Sequence, residues 1–426
     1  MRLLCVGLNH ATAPLALRET VAVTPEQSLG VLRRLRQRWP AAEFLLLCTC
    51  NRTEWYALRP LHSRPREEEL REVFLSQSGG NTEGLNEALY AHAGVDAVRH
   101  LFRVAAGLDS LVPGEPQIVS QIKQALAIAQ EAGTADATLA SLVADALAAA
   151  RRVRRETPIA EGKASVASVA FDAVREVFPS LAGRCVLAVG GGKMTELLLK
   201  LLARENAVRL LLTNRSFARA VELAADFGAQ AIPFENLAPA LAKADVVVTC
   251  TASPEPILTA EKIAQARRDC NGAPLLLVDL AVPRDIDPRA GQIEGVRLCN
   301  IDDLSAVVDR TVVRRSEHIT AAMDIVNEEV EQYLQAADIR LVAPTIDALY
   351  RRVEQTLNEE LAEASNKLST HDDHQEDLDI LHRTLHRALR RFCHPAVETL
   401  RNEAANGAGG THAETLRTLF RLDDPA

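Results

Sequence analysis

The chain has few aromatic residues, which make up only 4% of its 426 residues, so aliphatic side chains and alanine must fill its core. It has no uninterrupted apolar run near the roughly 20 residues that a membrane helix needs. Its first residues lack the charged and apolar segments of an export signal. With 47% hydrophobic and 25% charged residues, the composition predicts an ordinary globular protein with two or three domains.

The cysteines form no CxxC pair and no metal-finger spacing, so we expect no metal centre. Free thiols in a reducing compartment are the simplest interpretation, which predicts a cytoplasmic protein. The formal net charge of −9 disfavours a general nucleic-acid binder, although it leaves room for a local basic face. The eight cysteines stand at positions 5, 48, 50, 185, 250, 270, 299 and 393.

Three regions of the chain differ in pattern. Residues 1–155 mix short strands and helices, whereas residues 156–300 alternate strands with helices, which predicts a parallel sheet with crossover helices. Residues 301–426 are helical: one long helix is predicted from Asp302, ended by Pro344, and two amphipathic helices follow it. Those two helices lack partners for their apolar stripes, so pairing with a second copy is favoured over folding back onto the long helix.

The segment Gly190-Gly191-Gly192-Lys193-Met194-Thr195 joins a hydrophobic strand to the start of a helix. Small residues let the backbone approach a pyrophosphate, and the helix N-terminus supplies free N–H groups and the positive end of a dipole. Thr195 stands where the third glycine of the usual fingerprint would be, so a merely tight structural turn is the alternative. We assign this segment to a nucleotide.

The following strand ends in Asn214-Arg215-Ser216. NAD sites tend to place an acidic residue there to bind the ribose 2′-hydroxyl. A guanidinium and a hydroxyl instead suit a 2′-phosphate, because arginine can bind phosphate through two hydrogen bonds. The sequence therefore favours NADP(H) over NAD, and the alternative is that Arg215 is a solvated residue at a helix start. Thr249 to Ser253 ends the next strand and is expected to line the nicotinamide side.

Two cysteines stand close together in Cys48-Thr49-Cys50-Asn51-Arg52. If the preceding strand continues, alternation puts both thiols on one side of it. Cys48 follows three leucines and fits a core position, whereas Cys50 stands where the apolar run stops. A nearby cation such as Arg52 favours the thiolate, which is the nucleophilic form. From local composition alone a structural role is the more common one, and a metal pair lacks further ligands at suitable spacing.

Four segments, in order along nearly the whole chain, closely resemble glutamyl-tRNA reductase: residues 7–15, 48–54, 107–118 and 278–286. The resemblance implies reduction of glutamyl-tRNA by NADPH to glutamate-1-semialdehyde, with release of tRNA, as the first step of tetrapyrrole synthesis by the five-carbon route. It implies a multidomain α/β homodimer, with an α+β catalytic domain (1–155), a Rossmann-type NADPH domain (156–300) and a spinal helix with a helical dimerisation domain (301–426). It also suggests that the aldehyde is handed to an aminomutase.

By the same resemblance, Cys50 attacks the ester carbonyl, expels the tRNA and holds a thioester, which is ordinary covalent catalysis. His100 matches a histidine important for activity, in proton transfer or positioning; taken alone it would be a half-buried helix histidine. Arg52 would pair with a substrate carboxylate. The family's glycine turn often carries an acidic residue, whereas Lys193 and Thr195 stand here, which leaves the details of cofactor binding open. The segments that match substrate contacts contain Thr49, Asn51, Arg52, Ser110, Glu115, Pro116, Gln117 and Gln121.

Two other functions fit parts of the sequence. A general NADP-dependent dehydrogenase acting on a free small molecule would use residues 156–300 and leave the segment around Cys50 without a role. A relative that binds tRNA or a partner without catalysis would have no need for Cys50, Arg52, Ser110 and His100 together.

Overall fold

The computed structural model describes residues 2–60, 63–80, 83–160, 165–205, 208–268, 270, 273–304, 316–368, 375–405 and 409–422. The chain divides into two compact units, Met1–Asn327 and Glu328–Ala426. The predicted boundaries at residues 155 and 300 both fall inside the first unit and stay predictions.

The first unit begins with a four-stranded antiparallel sheet in the order β2-β3-β1-β4. Its strands are β1 (Arg2–Asn9), β2 (Glu43–Cys48), β3 (Arg52–Arg59) and β4 (Tyr90–Ala93). Seven helices accompany it: α1 (Leu15–Thr20), α2 (Pro25–Arg38), α3 (Glu67–Gln77), α4 (Leu85–Ala88), α5 (Val95–Ala105), α6 (Gln117–Glu131) and α7 (Ala137–Glu156).

The hairpin between β2 and β3 separates the two neighbouring cysteines. The strand ends at Cys48 and does not continue through Cys50, so the condition for placing both thiols on one side of a strand is not met, and β3 begins at Arg52. Every residue of β3 from Arg52 to Leu58 is buried, including charged ones, so the strand is covered on both faces and shows no alternation of polar and apolar residues. Because that alternation is the usual sign of a strand, the polar start of β3 was not recognised from sequence.

A second sheet in the first unit is entirely parallel, in the order β10-β9-β8-β5-β6-β7. This is the strand order of a Rossmann-type dinucleotide fold, which reverses between β5 and β8. Leucine and valine fill the central strands, because helices cover both faces. The elements are α8 (Val166–Val177), β5 (Cys185–Val189), α9 (Lys193–Leu202), β6 (Arg209–Thr213), α10 (Phe217–Phe227), β7 (Gln230–Ala231), α11 (Leu237–Lys243), β8 (Val246–Thr249), α12 (Ala260–Arg267), β9 (Leu275–Asp279) and β10 (Val296–Asn300).

Polar contacts join α1 to the end of the parallel sheet. The Arg284 guanidinium donates to both carboxylate oxygens of Glu19, at 2.6–3.0 Å. The backbone N–H of Leu15 donates to the Asp302 carboxylate at 2.9 Å. Through these contacts the segments after β9 and β10 hold α1, which precedes the cysteine hairpin in sequence.

The second unit is helical. Helix α13 (Ser316–Leu368) enters it, and α14 (Gln375–Ala405) and α15 (Gly409–Leu419) follow. The prediction that Pro344 ends the long helix is wrong, because the helix runs through position 344 to Leu368. A proline removes one hydrogen bond from the helix, but buried Val342 and Ile346 on either side of it belong to one core with α14. Residues 305–315, where the long helix was predicted to start, lie outside the described residues.

One face of α14 keeps large apolar side chains in contact with solvent. Leu381, Leu385 and Phe392, which belong to the predicted stripe, are 42%, 38% and 75% exposed. Exposed apolar patches of this kind mark surfaces that associate with partners. No described helix combines the length and apolar character needed to cross a bilayer.

Candidate active site

Cys50 stands in the turn between β2 and β3. The Thr49 hydroxyl accepts hydrogen bonds from the backbone N–H groups of Asn51 and Arg52, both at 3.2 Å. The Asn51 carbonyl accepts from the backbone N–H of His10 at 2.9 Å. Thr49, predicted as a substrate contact, therefore shapes the turn that presents Cys50.

The surroundings of Cys50 keep its thiol protonated. Burial first, and then the Glu115 carboxylate, raise the pKa of Cys50 to about 12, against the opposing effect of Arg18. The Arg18 guanidinium donates to the Cys50 carbonyl and to the Asp302 carboxylate. The cation that acts on the thiol is thus Arg18, not Arg52 as predicted, because the side chain of Arg52 turns into a different cluster.

Arg52 lies in a buried network around Glu54. Its guanidinium, 1% exposed, donates to the Glu54 carboxylate at 2.7 Å and to the Asp109 carbonyl. Glu54 also accepts from the hydroxyls of Tyr56 at 2.7 Å and Tyr90 at 2.5 Å. Burial alone would raise the pKa of Glu54, but Arg52, followed by His100, holds it well below its usual range. The positive charge of Arg52 is therefore already balanced within the protein.

His100 belongs to the same network. Its Nε2 lies 2.8 Å from the Glu54 carboxylate and its Nδ1 lies 3.5 Å from the Asp109 carboxylate. Its ring stacks on His92 with centroids 4.5 Å apart. Because these contacts tie His100 to the partners of Arg52, the geometry favours positioning over direct proton transfer with Cys50; this role stays a prediction.

Among the described residues, Cys5, Glu54 and His100 offer ligand atoms within 4.8 Å of one another, a spacing suited to a metal ion. The Arg52 guanidinium lies 2.7 Å from the Glu54 carboxylate, next to these three residues. A metal cation would have to replace that guanidinium. The cluster is better explained as a neutralised hydrogen-bonded network than as a metal centre.

The segment with the other predicted substrate contacts is a tight loop before α6. Gly114 has φ +86°, and a Cβ there would lie 2.5 Å from the Ile159 carbonyl oxygen, so only glycine fits. The loop buries Glu115, whose carboxylate accepts from the Val166 backbone N–H at 3.4 Å. The backbone N–H of Ser110 donates to the Gly107 carbonyl at 3.4 Å.

Two predicted contacts carry buried acceptors that no described residue satisfies. These are the side-chain oxygens of Asn51, in the Cys50 turn, and Gln117, in the first turn of α6. Buried polar atoms in proteins are nearly always hydrogen-bonded. The two oxygens are therefore available to the donor groups of a ligand. Two other residues predicted to contact the substrate belong to the same helix. Pro116 precedes α6 and is exposed, and Gln121 lies one turn into α6 and is half-buried.

A cavity of about 700 Å³ lies at the carboxyl ends of β5 and β8, where the strand order reverses. Ligands of open α/β sheets bind at this point. Gly190 has φ +115° and a Cβ on it would lie 2.3 Å from the Cys250 carbonyl oxygen, whereas a Cβ on Gly192 would meet nothing within 4 Å. The open space over Gly192, at the start of α9, fits a pyrophosphate. Its lining comprises Val189, Gly190, Gly191, Gly192, Asn214, Arg215, Phe234, Cys250, Thr251, Ala252, Ser253, Ile257 and Lys262.

The predicted cofactor residues divide into two groups. The glycines, Asn214 and Arg215 line the cavity. The side chains of Met194 and Thr195, 6% and 4% exposed, turn into the interior, so they can contribute only through backbone N–H groups. Exposed Lys193 pairs with Glu196 at 2.9 Å instead of reaching into the cavity. Ser216 caps α10, its hydroxyl accepting from the Arg219 N–H at 3.4 Å.

Sequence reasoning missed several neighbours of the site. Arg18 and Asp302 were not identified, and neither was His10, although it lies in the first segment that carries the resemblance. Phe234 and Lys262 of the cavity lining were also missed. Only the resemblance in residues 7–15 could have suggested His10; the others have no local signal, because their role depends on contacts with distant residues.

The cysteine turn lies beside the nucleotide cavity. Cys50 and Cys250, which lines the cavity, pack against the same hydrophobic cluster. Burial raises the pKa of Cys250 well above its usual value, and Cys50 is the next largest cause. The structure therefore brings a thiol from the antiparallel sheet next to the cavity of the parallel sheet. This fold and site define a nicotinamide-dependent oxidoreductase with a cysteine beside its cofactor cavity.

Comparison with known proteins gives the family. Residues 6–157 match "Glutamyl-tRNAGlu reductase, N-terminal domain", residues 172–307 match "Shikimate / quinate 5-dehydrogenase" and residues 321–422 match "Glutamyl-tRNAGlu reductase, dimerisation domain". The glutamyl-tRNA reductase of Desulforudis audaxviator is 38% identical, over 99% of this chain and 94% of that protein. That of Pelotomaculum thermopropionicum is 35% identical, over 100% and 95%. The chain belongs to the glutamyl-tRNA reductase family, whose known role is the first step of tetrapyrrole biosynthesis.

The solved structure of glutamyl-tRNA reductase from Methanopyrus kandleri is 31% identical over 99% of each chain, with a TM-score of 0.49. The predicted fold class, a multidomain α/β protein with a parallel-sheet nucleotide domain and a helical dimerisation domain, is confirmed. The dimerisation domain supports a homodimer, and the exposed apolar face of α14 is consistent with one.

Proposed function

We propose that this chain reduces glutamyl-tRNA to glutamate-1-semialdehyde, with NADPH as the hydride donor and a thioester on Cys50 as the intermediate. The observation that carries the proposal is the position of the Cys50 thiol beside the nucleotide cavity, on the same hydrophobic cluster as Cys250. A covalent acyl group on Cys50 would stand where a bound nicotinamide can reach it.

The reaction divides into two steps. Cys50 sulfur bonds to the ester carbonyl carbon, the carbon–oxygen bond to the tRNA ribose breaks, and the thiol proton leaves with the ribose oxygen. Bound NADPH supplies the hydride that reduces the thioester carbonyl. The carbon–sulfur bond then breaks, the aldehyde leaves, and the Cys50 thiolate takes up a new proton from solvent. Splitting a difficult substitution in this way is the usual advantage of a covalent intermediate.

The unpartnered side-chain oxygens of Asn51 and Gln117 support an aminoacyl substrate. Both are acceptors, and the α-ammonium group of glutamate offers three donors. Arg52, by contrast, already donates to Glu54 at 2.7 Å. Its predicted pairing with the substrate carboxylate would therefore need a rearrangement of that network. Arg18, whose buried Nε has no partner among the described residues, is the cation nearer to Cys50.

NADPH is proposed over NADH because of the end of β6. Arg215 is an exposed residue of the cavity lining and has no ion-pair partner among the described residues. No carboxylate stands in the Asn214–Ser216 segment to bind a ribose 2′-hydroxyl. A free guanidinium at that place suits a 2′-phosphate.

An NADPH oxidation assay tests the proposal on the parent chain, Cys50→Ser and Cys48→Ala. Cys48 is the matched control, because its sulfur packs in the protein, 3.5 Å from the Val23 N–H and from the Thr53 hydroxyl. We expect oxidation that depends on glutamyl-tRNA in the parent and Cys48→Ala, and none in Cys50→Ser. Equal activity of Cys50→Ser would remove Cys50 as the nucleophile. Activity on free glutamate would favour a general dehydrogenase, and a folded but inactive Cys48→Ala would overturn the roles of the two thiols.

Two further expectations belong to the same proposal. The aldehyde is handed directly to an aminomutase, and the enzyme works in the cytoplasm. The eight free cysteines support the second expectation, because thiols persist in a reducing compartment. Both stay predictions.

A further inference from the structure

Hydride transfer needs a fixed distance between an acyl group on Cys50 and the bound nicotinamide. Displacing a reacting group by about 1 Å can slow a reaction about 10²-fold. Cys50 lies in the turn between β2 and β3 of the antiparallel sheet, whereas the nucleotide cavity lies at the ends of β5 and β8 of the parallel sheet. The contacts between these two regions therefore determine how well the thioester meets the cofactor.

Arg18 connects the Cys50 turn to the parallel sheet. Its side chain, in α1, is 2% exposed. Its Nη1 donates to the Cys50 carbonyl and its Nη2 donates to the Asp302 carboxylate. Among the described residues, Asp302 is the carboxylate that neutralises this guanidinium. A planar guanidinium that is buried between two fixed acceptors has little freedom to move, so it holds them at a constant separation.

Asp302 anchors Arg18 at the edge of the parallel sheet that carries the cavity. It follows β10, which runs parallel to β9, so it lies at the carboxyl ends of the strands, as the cavity does. Its Oδ1 accepts from Arg18, and its Oδ2 accepts from the Leu15 backbone N–H at 2.9 Å. Leu15 is the first residue of α1. One carboxylate thus fixes both the start of α1 and the side chain that reaches Cys50.

A second charged contact holds the same helix. The Arg284 guanidinium donates to both carboxylate oxygens of Glu19 at 2.6–3.0 Å, and the Arg284 backbone N–H donates to one of them at 2.7 Å. Hydrogen bonds between charged groups in this two-pronged geometry are strong ones. Glu19 follows Arg18 directly in α1, so both residues bind segments that follow strands of the parallel sheet. The contact through Arg18 is the one that continues to the Cys50 carbonyl.

We propose that Arg18 and Asp302 are positioning residues that hold the Cys50 turn at a fixed place relative to the nucleotide cavity for hydride transfer. The inference rests on the proposed function and deepens it. Formation of the thioester needs Cys50 and the aminoacyl ester, whereas its reduction also needs the bound cofactor, so loss of the link impairs the second step. A thioester that is not reduced is attacked by water: the water oxygen bonds to the acyl carbon, the carbon–sulfur bond breaks, and free glutamate and the Cys50 thiol are formed.

Asp302→Asn tests the proposal, because asparagine keeps the shape of the side chain and removes the charge that holds Arg18. Aldehyde formation in a single turnover should fall by about 10²-fold, the cost of a small displacement of the reacting group. Release of tRNA without NADPH should keep the parent rate. The ratio of aldehyde formed to tRNA released should therefore fall, whereas a partly unfolded sample would lose both activities equally. Asp136→Asn is the matched control: Asp136 pairs with Arg36 at 3.0 Å, and both residues belong to helices beside the antiparallel sheet.

Arg18→Gln removes the link from the other side. It leaves Asp302 without its cation, but that carboxylate is 35% exposed and can be hydrated. The ratio of aldehyde to tRNA should fall in this variant too. The double variant with Asp302→Asn should show no further fall, because effects of contacting residues that act as one unit are not additive. Asp302→Glu, which keeps a carboxylate, should restore part of the ratio.

A ratio in Asp302→Asn equal to that of the parent would overturn the proposal. If Asp302→Asn does not fold, because it leaves Arg18 as a buried cation, the ratio in Arg18→Gln decides in the same way. Hydrogen exchange in residues 48–54, followed by mass spectrometry without substrates, is independent of activity and should be faster in Asp302→Asn and unchanged in Asp136→Asn. If the parent releases no tRNA, the proposed function fails; equal exchange in the parent and Asp302→Asn would overturn the link itself.

Discussion

Replacing Glu54 by glutamine should destabilise the antiparallel sheet far more than the loss of one charge at the surface would. Glu54 is fully buried and accepts hydrogen bonds from the Arg52 guanidinium and the Tyr56 and Tyr90 hydroxyls, with His100 Nε2 at 2.8 Å. Glutamine has nearly the same shape but has one acceptor oxygen and no charge. The substitution would leave the Arg52 cation buried without a counter-ion.

The expected cost follows from that uncompensated charge. Breaking a buried ion pair by removing one partner costs about 3–5 kcal/mol. Glu72→Gln is the matched control, since Glu72 lies 3.8 Å from Arg38 in a pair whose side chains are 65% and 52% exposed. Exposed pairs of this kind contribute about 0–1 kcal/mol. The two variants make the same chemical change in opposite environments.

Urea unfolding followed by tryptophan fluorescence measures the free energy of unfolding of both variants, Glu54→Gln and Glu72→Gln. The chain has only two tryptophans, and both Trp39 and Trp55 are buried in the region of the antiparallel sheet, so the signal reports on that region. Protein concentration must be equal in all samples, because dimerisation shifts apparent stability. A free energy loss in Glu54→Gln no larger than that in Glu72→Gln would refute the reasoning.

The buried pair of Glu54 and Arg52 also makes the stability of the protein depend on pH in a predictable direction. The folded pKa of Glu54 lies below its unfolded value, so its stabilisation is present above the unfolded pKa of about 4.3. It is lost as the pH falls through the folded value. The stability difference between the parent and Glu54→Gln should therefore narrow on acidification and stay constant above neutral pH.

Three other outcomes are expected. Arg215→Ala should raise the KM for NADPH and leave that for NADH nearly unchanged, measured in steady state, because only NADPH carries the 2′-phosphate; equal effects on both would contradict the assignment. Arg284→Ala should cost about 1.5–3 kcal/mol in unfolding free energy, since it removes charged hydrogen bonds to Glu19; a loss below that range would mean that the contact is unimportant. Phe392→Asp should shift the protein towards monomer in sedimentation, whereas Val221→Asp, at a 47% exposed position of α10, should not; an unchanged dimer would place the interface elsewhere.

Local sequence patterns were sufficient to predict a strand or helix wherever the whole segment, or one whole face of it, is buried among apolar residues. The alternation of strands and helices predicted for residues 156–300 is present, for example in the strand Cys185–Val189 and the helix Phe217–Phe227. Strands covered on both faces need only apolar residues, and an amphipathic helix needs only its stripe. The glycine turn could also be predicted from the sequence, because Gly190 adopts φ +115° and lies against the Cys250 backbone, where only glycine fits. The family resemblance in four segments added the reaction and the role of Cys50.

Local patterns failed where charges neutralise one another across the fold. The start of β3 was not recognised as a strand, because Arg52 and Glu54 are charged. These two residues are buried because they contact each other, two tyrosines and His100. The helix through position 344 likewise persists because its buried residues pack against α14. In both cases the deciding partners lie far away in sequence.

The sequence alone determined the parallel sheet, its glycine turn and the family, because each depends on residues that are neighbours along the chain. Only the tertiary structure decided which groups surround Cys50. It packed Cys50 and Cys250 against one hydrophobic cluster, placed the Arg18 guanidinium on the Cys50 carbonyl and held the Arg52 guanidinium against Glu54. The physical reason is that a thiol's ionisation depends on burial and on charges within a few ångströms, and packing brings those charges together from distant parts of the chain.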